Sequence, residues 1–214
     1  MRHHGLATSR KLIRAVKTSR IEAYSDAVFA IAATLLVLEI RVPLLAHRTT
    51  AEFWHTLLAL WPQFLSYVTS FLVIGIYWLN HHAVFDCLDH VDRPLVWRNL
   101  ILLLMISFIP FPTSIITQYG DMSSAVMFYG LTLLAISIYA NYMWWHIVRQ
   151  GYLNTAIVSP ATVKEATRRY ALGILFYIVA VAISAVAPRV SVALYFLSAA
   201  FYLVAGEPKR AVDA

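Results

Sequence analysis

An uncharged run from Ala27 to Leu38 follows directly on a polar foot of Arg20, Glu22, Ser25 and Asp26, within the stretch RIEAYSDAVFAIAATLLVLEI at residues 20–40. At about 1.5 Å per helical residue the run covers much of a bilayer's hydrocarbon core, so the stretch reads as a membrane-crossing helix entered through polar groups. A step of about 100° per residue gathers Ala27, Ile31, Thr34, Leu35 and Leu38 into one stripe and turns Asp26 roughly 140° away from Ile31. Such a stripe either lines something or touches lipid, and periodicity by itself favours lipid.

The rest of the chain has the same character. Hydrophobic residues fill 60% of its 214 positions and charged residues 13%, with a mean hydropathy of +0.68, too little polar surface for a soluble domain of this size. The single Cys87 excludes an intramolecular disulfide framework. The expected fold is all-α: a polytopic membrane protein with six transmembrane helices in residues 20–205, a basic tail at 1–19 and a short tail at 206–214. The first twenty residues carry six Lys or Arg and no acid, and they lack the apolar run of a signal peptide. Leu6, Leu12, Ile13 and Val16 leave open a short basic helix on anionic headgroups, and His3 and His4 read as tail composition.

The later spans are expected near 53–79, 96–117, 122–148, 170–187 and 190–205, the last two joined as a hairpin at Pro188 and Arg189. Trp54, Trp61, Tyr77 and Trp78 resemble interfacial belts of the second span, whose Gln63, Ser66, Thr69 and Ser70 should face other helices. Pro110 and Pro112 should bend or end the third. Six spans gather 14 of the 17 Lys and Arg on one side, which places both termini in the cytoplasm.

Two polar segments invite a chemical reading. The segment 80–98 holds His81, His82, Asp86, Cys87, Asp89, His90 and Asp92, but its spacing matches neither a helical His, Glu and His zinc motif nor paired CxxC knuckles, so no metal site is assigned. Residues 117–121, TQYGD, share only Thr, Tyr and Gly with the potassium-filter loop TVGYG and follow no separate pore helix; they read as a tight turn. The topology also brings the foot of the first helix beside Asn80, His81, His82, Arg98 and Asn99. Glu22 and Asp26 form an unfavourable i,i+4 pair, so Asp26 should take a cation or donor from another helix, with His81, His82 or Arg98 the candidates.

Arg20, Tyr24, Ser25 and Asp26 form R-x-x-x-Y-S-D, which resembles the R-x-x-x-F-S-D signature of the transmembrane protein 175 family of potassium channels, with Tyr for Phe. The likeness continues through DAVFAIAATLLVLEI, WPQFLSYVTSF, YWLNHH and the NL and PFPT of the third span. The resemblance implies a homotetramer of six-helix repeats in the cell membrane, its central pore lined by the first helix of each subunit. It places the constriction at Ile31, the next layers at Thr34, Leu35 and Leu38, and a structural polar network at Arg20, Ser25 and Asp26, to which His81 and His82 are added by position. The implied cargo is K⁺, with Na⁺ passing more weakly and Thr34 aiding selectivity. No catalytic activity, cofactor or nucleic-acid partner is expected. A secondary cation or metal transporter working through His81, His82, Asp86 and His90 is the rival expectation.

Overall fold

The computed structural model describes residues 18–204, and its regular elements are helices. The tail residues 1–17 and 205–214, with His3, His4 and the basic helix considered above, lie outside the described residues. Helix α1, Thr18–Leu35, tightens into a 3-10 turn at Leu36–Glu39 and ends where Ile40 becomes extended. A short helix α2, Thr50–Ala59, follows, and then α3, Trp61–Phe85. The third crossing is built from α4, Arg93–Ser107, and α5, Pro110–Tyr119. Helices α6, Ser123–Gln150, α7, Pro160–Ser184, and α8, Pro188–Val204, complete the order.

Among the described residues, five segments are long and apolar enough to cross a membrane: Ser19–Glu39, Trp61–Phe85, Arg93–Tyr119, Ser123–Gln150 and Pro160–Ser184. The sixth expected span corresponds to α8, 17 residues long and so about 25 Å.

Several boundaries differ from the sequence expectations, each for a local reason. The second crossing starts at Trp61 rather than 53, because residues 50–59 form the separate helix α2, none of whose residues is buried. Thr49 caps α2 by accepting from the Glu52 N–H at 3.2 Å, while the Glu52 carboxylate accepts from the Ala46 and His47 N–H groups at 2.8 and 2.9 Å. These backbone bonds hold the Glu52 carboxyl below the usual glutamate value. Pro110 and Pro112 interrupt the third crossing as expected, and they do so by opening α5, since a residue without an N–H fits the first turn, where no intrahelical acceptor is available. The break falls at Phe108 and Ile109, whose N–H groups reach back only three residues, to Met105 at 3.3 Å and Ile106 at 3.0 Å. The fifth crossing is the 25-residue helix Pro160–Ser184 rather than 170–187. Ser159 caps it by accepting from the Thr162 N–H at 3.2 Å, so Lys164, Arg168 and Arg169 ride on its first turns.

Helix α3 packs against α1, α5 and α8, while α6 packs against α4, α5, α7 and α8. The core between them holds Leu36, Ile74, Leu95, Ile106, Leu133, Ile136 and Ile147. Polar groups stitch the helices at depth: Ser70 Oγ lies 3.0 Å from Tyr129 Oη and 2.8 Å from Thr113 Oγ1, and Tyr77 Oη lies 2.7 Å from Ser137 Oγ. Ser66 and Thr69 are also buried, with their hydroxyls donating to Pro62 and Leu65 carbonyls of their own helix.

At one end the turn 86–92 is clasped to the turn 151–159. The Asp89 N–H donates to the Tyr152 carbonyl and the Asn154 N–H to the Cys87 carbonyl, both at 2.9 Å, and Tyr152 Oη donates to Asp92 Oδ2 at 2.7 Å. Desolvation, then the Asp92 carboxylate, pushes the Tyr152 phenol up to about 12 from 10.0. A raised value means the protonated hydroxyl belongs to the folded clasp, whose contribution is complete below pH 10.0 and lost as pH rises towards about 12. Protection of the Asp89 and Asn154 amides, measured against the intrinsic exchange rate at each pH, should therefore fall across that interval, and Tyr152→Phe should remove that fall.

Gly130 marks the tightest approach. A Cβ there would sit 2.1 Å from Tyr195 Oη and 2.8 Å from Val181 Cγ2. Gly130→Ala should destabilise the detergent-solubilised protein by about 1–3 kcal/mol. Adding Tyr195→Phe should recover part of that loss in the same thermal melt.

Candidate functional site on the first helix

Helix α1 divides into two faces. Ile21, Ser25, Phe29 and Ala32, followed by Leu36 of the 3-10 turn, are buried against the bundle. Their spacing of three and four residues is that of one helical stripe. The other face carries Ala27, Ile31, Thr34, Leu35 and Leu38, all exposed, with Ile31 at 58%, Leu35 at 43% and Leu38 at 69%. The described part of a single chain leaves this apolar row uncovered. Thr34 Oγ1 donates to the Ile31 carbonyl at 3.0 Å, which ties the hydroxyl proton to the helix and leaves the oxygen of this exposed side chain able to accept.

The buried face is anchored by a chain of hydrogen bonds through three helices. Ser25 Oγ, fully buried, donates to the Ile21 carbonyl at 2.8 Å and accepts from Asn99 Nδ2 of α4 at 2.9 Å. Asn99 Oδ1 lies 2.7 Å from His81 Nε2 of α3, and because an amide oxygen only accepts, that nitrogen carries the proton. The His81 ring is held between Phe29, 5.4 Å away between centroids, and Phe85, stacked at 4.1 Å.

Asp26 takes a different partner from those expected. Its Oδ1 accepts from Trp78 Nε1 at 2.8 Å, whereas His81 is engaged by Asn99. His82 stacks on Trp78 at 5.8 Å and lies 3.4 Å from Asp86. Arg98 donates to the Pro94 carbonyl at 3.0 Å and sits over the Tyr142 ring at 5.7 Å. The reason is rotation: one step of about 100° beyond Ser25 carries Asp26 off the α4 side. Arg20 is exposed at the first turn, outside these bonds. Thus the structure brings Ser25 and His81 together through Asn99, and Asp26 and His82 together through Trp78. The sequence places Asn99 beside the foot without giving it a partner, and gives Trp78 no place there. Its place near the end of the second span assigns Trp78 to an interfacial belt, although an indole N–H one turn ahead of His81 and His82 is a visible donor.

The two adjacent histidines point apart, His81 buried and His82 about half exposed, and His90 packs edge-on to Tyr152 at 5.0 Å. No group of three or more His, Cys, Asp and Glu among the described residues is placed to hold a metal ion.

The family described as Endosomal/lysosomal potassium channel TMEM175 matches residues 20–110, which contain both the stripe and the polar foot. A potassium channel of Streptomyces collinus is 39% identical over 190 residues, 87% of this chain and 91% of that protein. The chain belongs to the TMEM175 family. Another family member, a potassium channel of Chamaesiphon minutus, is 37% identical over 87% of this chain and 93% of its own length. The crystal structure of a lysosomal potassium-selective channel TMEM175 homolog from Chamaesiphon minutus superposes with a TM-score of 0.76 at 36% identity, covering 88% of this chain and 97% of that one. The human relative, named an endosomal/lysosomal proton channel, is 35% identical over 42% of this chain and 19% of its own length. These relatives are ion channels and not enzymes, which fits a multi-pass membrane chain whose distinctive surface is an apolar helix face.

The anchor can be tested directly. Asn99→Ala leaves buried donors and acceptors on Ser25 and His81 unpaired, at an expected cost of about 1–3 kcal/mol. Trp78→Phe, at a partly exposed position, should cost less. Thermal denaturation of the two purified variants gives the order.

Proposed function

We propose that the chain is a potassium channel of the cell membrane in which α1 of each of four identical subunits lines a shared central pore. The observation that carries this reading is the row Ala27, Ile31, Thr34, Leu35 and Leu38, exposed in the single chain although the opposite face of the same helix is anchored in the bundle. The full-length relatives named potassium channels support the cargo. In the proposed arrangement both termini are cytoplasmic, α8 is the sixth crossing, and Arg20, Ser25, Asp26, His81 and His82 belong to a structural network at the cytoplasmic helix ends.

A narrow ring of Ile31 side chains would act as the gate. An ion crossing it must shed water without a cage of carbonyls to replace the lost shell, because helical carbonyls are engaged in i to i−4 bonds. Slight narrowing then closes the pore by dewetting, and a small outward rotation or splay of the four helices opens it. Potassium releases water more readily than sodium, which sets the direction of selectivity. Thr34, one turn beyond Ile31, offers hydroxyl oxygens to the partly stripped ion, and Leu35 and Leu38 continue the apolar wall. Selectivity on this basis is moderate, with Na⁺ passing more weakly.

Ile31→Ala should raise K⁺ flux into liposomes severalfold, and unchanged flux would remove Ile31 from the gate. Thr34→Val should lower the K⁺ to Na⁺ permeability ratio in bilayer recordings while the mass of the purified oligomer stays that of a tetramer. A ratio that holds would move selectivity elsewhere.

A further inference from the structure

A second charged feature lies away from α1, where α4 and α6 run side by side. Two guanidinium groups rest on two aromatic rings one turn apart on α6: Arg98 of α4 lies 5.7 Å from the Tyr142 centroid, and Arg149 lies 4.9 Å from the Trp145 centroid. Tyr142 and Trp145 are exposed, at 46% and 53%, so both cations stand at the surface of the bundle. Arg98 spends Nη1 on the Pro94 carbonyl and Nη2 on a long 3.5 Å contact with Tyr142 Oη, and its buried Nε has no acceptor among the described residues. Asp92, the acid at the start of α4, already has Oδ1 taken by the Leu95 N–H and Oδ2 by Tyr152 Oη. The cluster therefore holds unspent donors and a net positive charge.

The surface continuing from these arginines towards mid-membrane is apolar. On α4 it presents Ile101, Leu104 and Phe108, exposed at 45%, 69% and 46%, and on α6 Ile138 and Leu131, at 50% and 47%. Ten residues separate Arg98 from Phe108, a rise of about 15 Å, which is half the thickness of a hydrocarbon core of about 30 Å. A double arginine at one end and one leaflet's depth of greasy surface behind it match the shape and chemistry of an anionic phospholipid.

We propose that the α4–α6 face binds an anionic glycerophospholipid, its phosphate held by Arg98 and Arg149 and its acyl chains lying along Ile101, Leu104 and Ile138. The exposed Arg149 guanidinium and the remaining Nη hydrogens of Arg98 supply donors to the phosphate, and the Tyr142 and Trp145 rings keep both guanidiniums at headgroup level. The proposal does not depend on where the ion pathway runs.

The test uses the full-length purified protein in detergent, with thermal midpoints measured on adding phosphatidylglycerol, chain-matched phosphatidylcholine or inorganic phosphate. Phosphatidylglycerol should raise the midpoint by roughly 3 °C more than phosphatidylcholine, and inorganic phosphate should not reproduce the shift. The Arg98→Gln and Arg149→Gln double variant should lose the difference. Should that protein fail to fold, Arg149→Gln alone, at an exposed side chain, should at least halve it, while Lys164→Gln on α7 leaves it intact. Equal shifts from the two lipids, an undiminished response in Arg149→Gln, or the same shift with free phosphate would overturn the proposal. So would a change in oligomer mass in Arg149→Gln, which would assign the face to contact between subunits.

Discussion

The hydrogen-bond chain from Ser25 through Asn99 to His81 fixes the rotation of α1 about its own axis, and the rest of the candidate site follows from that rotation. Nine helical residues separate Ser25 from Thr34, about half a turn in net angle, so docking the serine on α3 and α4 turns the threonine outward. Ile31 and Leu35 flank it on either side, Ile31 at 58% exposure and Leu35 at 43%. A slip of one residue would bury part of the row and expose polar groups that need partners. The cost of unpaired donors in a dry interior makes such a slip unfavourable.

The same logic runs through the bundle. Between membrane helices there is little hydrophobic drive, since lipid tails are as apolar as leucine, and close packing and buried polar pairs carry the specificity. Ser70, Thr113 and Tyr129 join α3, α5 and α6 at one depth, and Tyr77 and Ser137 join α3 and α6 at another. Gly130 lets Tyr195 of α8 come close to α6. Helix α7 shows the contrary case, with only 6% of the residues of its apolar window buried among the described residues.

How much of this was legible in the residues depended on range. The apolar spans, the stripe on α1 and the polar foot rest on local spacing, which sequence carries directly. Pro110 and Pro112 marked a break correctly but not its side, because a proline interrupts the helix before it and starts the helix after it equally well. Helix α2 reads in the sequence as part of the second span because its apolar residues continue into Trp61, and the cap formed by Thr49 and Glu52 is set by loop geometry. That Asp26 takes Trp78 rather than His81 or His82 was not legible, since the choice among donors one turn apart on α3 is made by the rotation and depth at which α1 packs on it.

Sequence alone determined the class of molecule, the position of most crossings, the family and which residues share a face of the first helix, since each depends on composition or on angles within one segment. Tertiary structure decided which face turns inward, which donor Asp26 meets, that Asn99 links Ser25 to His81, and that Arg98 lies over Tyr142. Those outcomes depend on the relative rotation and depth of separate helices. No single segment encodes that arrangement; the summed packing and hydrogen bonding of the whole bundle selects it.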